Sequence, residues 1–318
     1  MNDHRTNDSF TYEKVLRCAQ DDIFLLFTPY PPNFLPMTLH TIDTGFFKLD
    51  GGAMFGVVPR TMWEKLNPPD TNNLCTWAMR CLLVEDGNRL ILVDTGMGNK
   101  QDAKFRSHFH PHGDATLESS LREKGFTAAD ITDVFLTHLH FDHCGGAVVR
   151  TPDDKLVLAC PNATYWSNEA HWDWAVHPNA REKASFLKEN ILPIQESGHL
   201  QFVDPTQGVP GALPAFREII FADGHTEKMM VPVLEYKGRT VAYMADLLPS
   251  VGHIPLPYVM SYDMRPLVTL SEKEQVLRRA AEENWVLLLE HDPAVEACTV
   301  QLTEKGVRIA DTFRLDEL

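Results

Sequence analysis

Residues 133–146 read Asp-Val-Phe-Leu-Thr-His-Leu-His-Phe-Asp-His-Cys-Gly-Gly and place four side chains of metal-ligating type, His138, His140, Asp142 and His143, within six positions. The residues just before them are apolar and β-prone, which predicts a buried strand that delivers the polar cluster at its end. In extended backbone alternate side chains share a face, so His138, His140 and Asp142 are expected on one side and Leu139 and Phe141 in the core. His143 breaks the alternation. Gly145-Gly146 is expected to let the chain turn there into a helix and so bring His143 to the same spot. A lone histidine is more often a satisfied loop residue, but four ligand types at this spacing favour metal. Imidazole together with carboxylate suits zinc or a similar first-row ion.

The stretch from Thr137 to His143 resembles the His-x-His-x-Asp-His signature of the metallo-β-lactamase superfamily of metallo-hydrolases. Members of its two-metal type carry three later ligands at strand ends, and matching positions follow in order. His225, in Asp223-Gly-His-Thr, lies 82 residues after His143; Asp246, in Met244-Ala-Asp, lies 21 further on; and His291, in Glu290-His-Asp292, another 45. The resemblance implies that His138, His140 and His225 hold one ion, that Asp142, His143 and His291 hold the other, and that Asp246 bridges them. It implies two divalent metal ions per chain, zinc first among them, a metal-bridging hydroxide as nucleophile, and Asp142 as the catalytic proton carrier. Asp94, in Asp94-Thr-Gly96, matches a residue that supports the site from behind without touching metal. The implied fold is α/β: a four-layer α-β-β-α sandwich of two mixed sheets flanked by helices.

The 318 residues and their 44% apolar content suffice for a sizeable core. A formal net charge of -15 argues against nucleic acid or anionic lipid as partner and leaves a small-molecule substrate. Six scattered cysteines (Cys18, Cys75, Cys81, Cys144, Cys160, Cys298), with no Cys-x-x-Cys pair, are read as reduced thiols of a cytoplasmic protein. No apolar run approaches the length of a membrane span.

Residues 1–36 are weakly patterned and end in Pro29-Tyr-Pro31-Pro32-Asn-Phe-Leu-Pro36, so they are read as an extension before a hydrolase domain spanning 37–318. The alternatives are a native start at Met37, just before the first strand (39–49), and an arm that packs on a partner in a homodimer. Further strands are expected at 52–58, 77–84, 89–93, 155–159, 216–221, 229–236, 240–244 and 285–289. Helices are expected at 117–124, at 168–190 with a break at His177-Pro178, and at 271–283 behind a Ser271-Glu-Lys-Glu274 capping box. His108, His110 and His112 share no alternation with a carboxylate and are read as a solvated loop. The stretch 247–263, rich in proline and aromatics, is expected to line the mouth of the site.

Met54, Phe55, Trp172, Tyr258 and Tyr262 are the expected pocket wall. Apolar, aromatic and poor in fixed positive charge, it suits a neutral ester or lactone, with phosphotriesters and thioesters as alternatives; a non-catalytic metal-binding protein is the other reading. The layout resembles the branch of acyl-homoserine-lactone lactonases and methyl parathion hydrolase. Lactonases of that branch place a Tyr three positions after the bridging Asp, where Pro249 stands here; Tyr258 or Tyr262 is the candidate replacement. A chain starting at Met37 is expected to keep its metal content and melting temperature. A large loss of either identifies residues 1–36 as a packed element.

Overall fold

The computed structural model describes residues 37–318, so the expectations for the first 36 residues and Cys18 lie outside it. Four strands open the chain: β1 (Thr38–Asp50), β2 (Leu74–Asp86), β3 (Arg89–Val93) and β4 (Asp133–Phe135). After them β5 (Val148–Arg150) and β6 (Leu156–Leu158) form a separate pair. The first sheet then resumes with β7 (Thr164–Ser167) and β8 (Leu200–Phe202), giving the order β1-β2-β3-β4-β7-β8. It is antiparallel from β1 to β3 and parallel from β3 to β8.

The second sheet is built from β9 (Phe216–Ala222), β10 (Met229–Tyr236), β11 (Arg239–Tyr243), β12 (Val286–Leu288), β13 (Ala297–Thr303) and β14 (Gly306–Phe313), in the spatial order β14-β13-β12-β11-β10-β9. Only its β11–β12 pair is parallel, so both sheets are mixed. Leu82, Val84, Ile91, Val93 and Phe135 of the first sheet and Val231, Val233, Val241, Tyr243 and Leu287 of the second belong to one buried core between them.

The helices are α1 (Gly51–Phe55), α2 (Arg60–Trp63), α3 (Ala103–Phe109), α4 (Leu117–Glu123), α5 (Phe141–Cys144), α6 (Glu169–Val176), α7 (Lys188–Glu196) and α8 (Pro266–Glu282). Leu121, Ala175, Ile191 and Ile194 bring α4, α6 and α7 onto the first sheet's outer core, and α8 packs against β13 of the second. The result is the α-β-β-α layering that the resemblance implied.

Local sequence accounts for several departures from the expected elements. The 52–58 stretch forms α1 because the Asp50 carboxylate caps it, accepting from the Ala53 amide at 2.9 Å. Proline at the first position starts α8 at Pro266, which leaves Ser271 inside the helix. The expected break at His177-Pro178 extends through residue 187, and α7 then runs past Asn190. Residues 103–109, read as loop, are helical because Asp102 caps them. The β13–β14 hairpin had no counterpart in the expected elements.

Gly145 and Gly146 serve close approach more than turning: a Cβ on either would lie 2.2 Å from the carbonyl oxygen of Met97 or Thr95. Gly146→Ala is therefore expected to lower stability by about 1–3 kcal/mol through overpacking. Gly211→Ala, with nothing within 4 Å of the added methyl, serves as the neutral control in urea unfolding.

Candidate metal centre

Every functional side chain leaves from the same edge of the two sheets, just past a strand end. Asp94 follows β3; residues 137–143 follow β4; His225 lies between β9 and β10; Asp246 follows β11; and His291 follows β12. The strand before the motif stops at Phe135, so His138 and His140 lie in irregular backbone and Asp142 and His143 lie on α5. His140 itself precedes that helix with extended φ and ψ, and the turn that brings His143 round comes before the glycines, not at them. Leu139 points into the first sheet's outer core, whereas Phe141 packs on Phe105 and Phe109 beside the cavity that opens over the centre.

The structure brings all seven expected ligands together as two groups. Atoms of His138, His140, His225 and Asp246 lie within 4.8 Å of one another, and so do those of Asp142, His143 and His291. Asp246 faces both groups: Oδ2 lies 3.1 Å from His225 Nε2, while Oδ1 lies 2.9 Å from His291 Nε2. Imidazole nitrogens meet at 3.1 Å (His138 Nε2 to His140 Nδ1), 3.2 Å (His225 Nε2 to His140 Nδ1) and 3.1 Å (His291 Nε2 to His143 Nε2).

The outer nitrogens settle which tautomers these rings adopt. His140 Nε2 donates to Glu182 at 3.0 Å, His225 Nδ1 to Asp263 at 3.0 Å, His291 Nδ1 to the Ala78 carbonyl at 2.7 Å and His143 Nδ1 to Asp94 at 3.1 Å. His138 Nδ1 reaches the Thr137 hydroxyl at 3.1 Å, which in turn donates to Asp94 at 2.7 Å. All five rings therefore turn a bare nitrogen inward, towards carboxylates. Buried lone pairs facing one another repel unless a cation lies between them, and with bare nitrogens turned towards it Asp246 Oδ1 has no donor among the described residues. The donor set fits divalent metal.

Without metal the same contacts must be met by protons. Burial pulls down the His225 imidazole, but Asp246 and Asp263 outweigh it and push its pKa up to about 10. His291, buried and facing Asp246, is pushed up to about 9. Burial would raise Asp246, yet His143, His291 and His225 hold it well below the usual carboxylate range.

A cavity of about 450 Å³ opens over the centre. Its lining includes His140, Asp142, Asp246 and His291 below, and Leu49, Met54, Phe109, Phe141, Met260 and Tyr262 around them. Of the expected pocket wall, Met54 and Tyr262 line this cavity. Phe55 does not: it is fully buried, stacked between Trp63 and His253. Tyr258 also stands off this cavity, its ring edge-on to Phe55. Trp172 is turned into the outer core of the first sheet, because the buried side of α6 faces that sheet. His108, His110 and His112 join neither group.

Four supporting residues had no strong local signal. Glu182, Asp263 and Glu290 are buried carboxylates on the backs of the imidazoles, and His171 Nε2 accepts from the Leu139 amide at 2.9 Å. Glu290 was visible only as the neighbour of His291; the others lie in segments whose place depends on tertiary packing.

The model of the metallo-β-lactamase superfamily matches residues 80–291, two-thirds of the chain. The chain belongs to this superfamily. Among its relatives is a probable metallo-hydrolase of Mycobacterium tuberculosis, 24% identical over 279 residues, covering 76% of this chain and 85% of that one. A probable metal-dependent hydrolase from Staphylococcus aureus has a similar solved structure, with TM-score 0.78 and 24% identity, covering 88% of this chain and 97% of that one. AidC, a dizinc quorum-quenching lactonase solved with its product, has TM-score 0.71 and 22% identity, covering 88% of this chain and 96% of its own. This superfamily member is a metal-dependent hydrolase. No described helix is long and apolar enough to cross a membrane.

The raised imidazoles give the metal-free protein a defined pH response. Their folded-state pKa values exceed the unfolded value near 6.5, so their contribution to stability is complete below about pH 6.5 and is lost as pH rises through about 9 for His291 and 10 for His225. The urea midpoint of metal-free protein is expected to fall between pH 7 and 10. Saturating zinc, by displacing those protons, is expected to flatten the fall.

Proposed function

We propose that this chain holds two divalent ions, zinc by its donor set, and hydrolyses neutral esters or lactones. The observation that carries the reading is Asp246, whose two oxygens face two separate histidine groups on the floor of an open, largely apolar cavity. His138, His140 and His225 would hold one ion, Asp142, His143 and His291 the other, with Asp246 shared. A purely structural zinc needs four ligands and no cavity. Bound there, the ions supply Lewis-acid polarisation of the scissile carbonyl and make water acidic enough to attack near neutral pH.

The chain's own groups do the rest. Asp142 lies on the cavity floor with Oδ2 3.8 Å from both His143 Nε2 and His291 Nε2, placed to take a proton on its carboxylate and pass it to the leaving oxygen. Tyr262 lines the same cavity, and burial, reinforced by Asp50 and Asp142, pushes its phenol up to about 12, so it remains a hydrogen-bond donor for the acyl oxygen. It takes the part for which Pro249 has no donor.

Leu49, Met54, Phe109, Phe141 and Met260 bury an apolar substituent. Among the described lining residues Arg181 is the one lysine or arginine, and it already donates to the Ser261 and Asp263 carbonyls, which disfavours a phosphomonoester. The lactonase activity named for AidC, a protein of similar fold, supports the same class. Phosphotriesters and thioesters are the nearest alternatives.

Elemental analysis of protein purified without chelator is expected to give about two zinc, or an equivalent ion, per chain. His140→Ala and Asp246→Ala should lose metal and activity together; trace metal in the wild type, with none taken up on addition, sinks the reading. A panel of acyl lactones, aryl esters, thioesters, phosphotriesters and phosphodiesters should show turnover of esters or lactones that drops by about 10²–10⁴-fold in Asp142→Asn, the range of general acid–base catalysis. Turnover of phosphodiesters alone refutes the substrate class.

A further inference from the structure

The imidazoles of the centre are braced from two different parts of the molecule. His143 and His291 lean on the sheets: Asp94 stands at the end of β3, and the Ala78 carbonyl belongs to β2. His140 and His225 lean instead on the walls of the substrate cavity. Glu182, in the segment between α6 and α7, is 2% exposed. It accepts from His140 Nε2 at 3.0 Å, Trp174 Nε1 at 2.7 Å, Asn179 Nδ2 at 3.1 Å and the Thr226 hydroxyl next to His225.

Asp263, which braces His225 from the loop after Asp246, is tied to the same segment. Arg181 Nη2 donates to the Asp263 carbonyl at 3.4 Å and to the Ser261 carbonyl. The segment is preset for this: Asn179 Oδ1 accepts from the amides of Arg181 at 2.9 Å and Glu182 at 3.1 Å. Arg181, Glu182 and Ser261 all line the cavity.

We propose that residues 179–182 act as a strap, with Glu182 as its positioning residue, that sets His140 directly and His225 through Asp263. The metal position built on His138, His140 and His225 then depends on this strap, whereas the imidazoles of the one built on Asp142, His143 and His291 are braced by the sheets. This rests on the two-metal reading above. The physical ground is that a carboxylate behind a ligating imidazole fixes its tautomer and orientation, and losing it typically costs 10–100-fold in metal affinity.

The test is a titration of metal-free wild type, Glu182→Gln and His140→Ala with Co²⁺, read by calorimetry and by the visible absorption of the bound ion. Glu182→Gln retains the volume but sets an amide against donors that need an acceptor. It is expected to weaken by about 10–100-fold the binding event that His140→Ala removes, to alter that ion's absorption, and to leave the other event within about twofold. Where Glu182→Gln does not fold, Arg181→Gln, an exposed substitution that cuts only the tie to Ser261 and Asp263, is expected to weaken the same event several-fold. Equal weakening of both events, or of neither, overturns the strap while leaving the two-metal reading standing. A wild type that takes up no Co²⁺ overturns both.

Discussion

Five imidazoles with bare nitrogens converging on shared carboxylates, almost wholly out of water, form an arrangement that only cations make favourable. Uncompensated, each buried polar group costs several kcal/mol, and imidazole nitrogens that face one another at 3.1–3.2 Å are satisfied only where a proton or a metal ion lies between them. Each outer nitrogen must also donate, or the inward lone pair is lost to the other tautomer. That requirement extends the site well beyond the seven gathered side chains, into Asp94, Thr137, Glu182, Asp263 and the Ala78 carbonyl. The rest of the fold supplies these partners at fixed places.

The two sheets meet that demand through a backbone seam. The Ala78 amide donates to the His291 carbonyl at 3.0 Å, and the Arg80 amide to the Glu290 carbonyl at 3.1 Å, so β2 of one sheet pins the His291 segment of the other. The buried Arg80 guanidinium adds bonds to the carbonyls of Leu289 at 2.7 Å and Asp292 at 3.0 Å. Similarly, the Met230 amide at the start of β10 donates to the Thr137 carbonyl at 2.9 Å, joining the motif loop to the second sheet. With both sheets joined at this edge, much of the cavity wall above the gathered side chains comes from connections between the strands. Phe109, Met260 and the 177–187 segment all come from such connections, the parts of this fold that vary at least cost to the core.

Much of the molecule was legible along the chain. Strands at 229–236 and 89–93 were read to the residue because alternation or continuous apolarity ran unbroken between turn signals. The seven side chains the structure gathers were readable because four of them stand in one short motif and the other three match, in order, the later positions of the superfamily it resembles. Where capping chemistry competed with apolar patterning, as at Asp50 and Asp102, the cap prevailed and helices replaced an expected strand and loop.

The sequence by itself determined a cluster of metal-ligating side-chain types behind a strand, because those residues stand close together in 138–143, while the three later positions and the layered architecture came from the resemblance to the superfamily. Only the tertiary structure decided which aromatics face the cavity: Trp172 and Phe55 read as well for a pocket as Tyr262 until packing turned them into cores. It alone decided that Glu182 stands behind His140, 42 residues away, and Asp263 behind His225, 38 residues away. A lone carboxylate carries no sign of its partner along the chain. Its role arises when burial removes water and leaves the donors packed around it, an imidazole among them, to satisfy it.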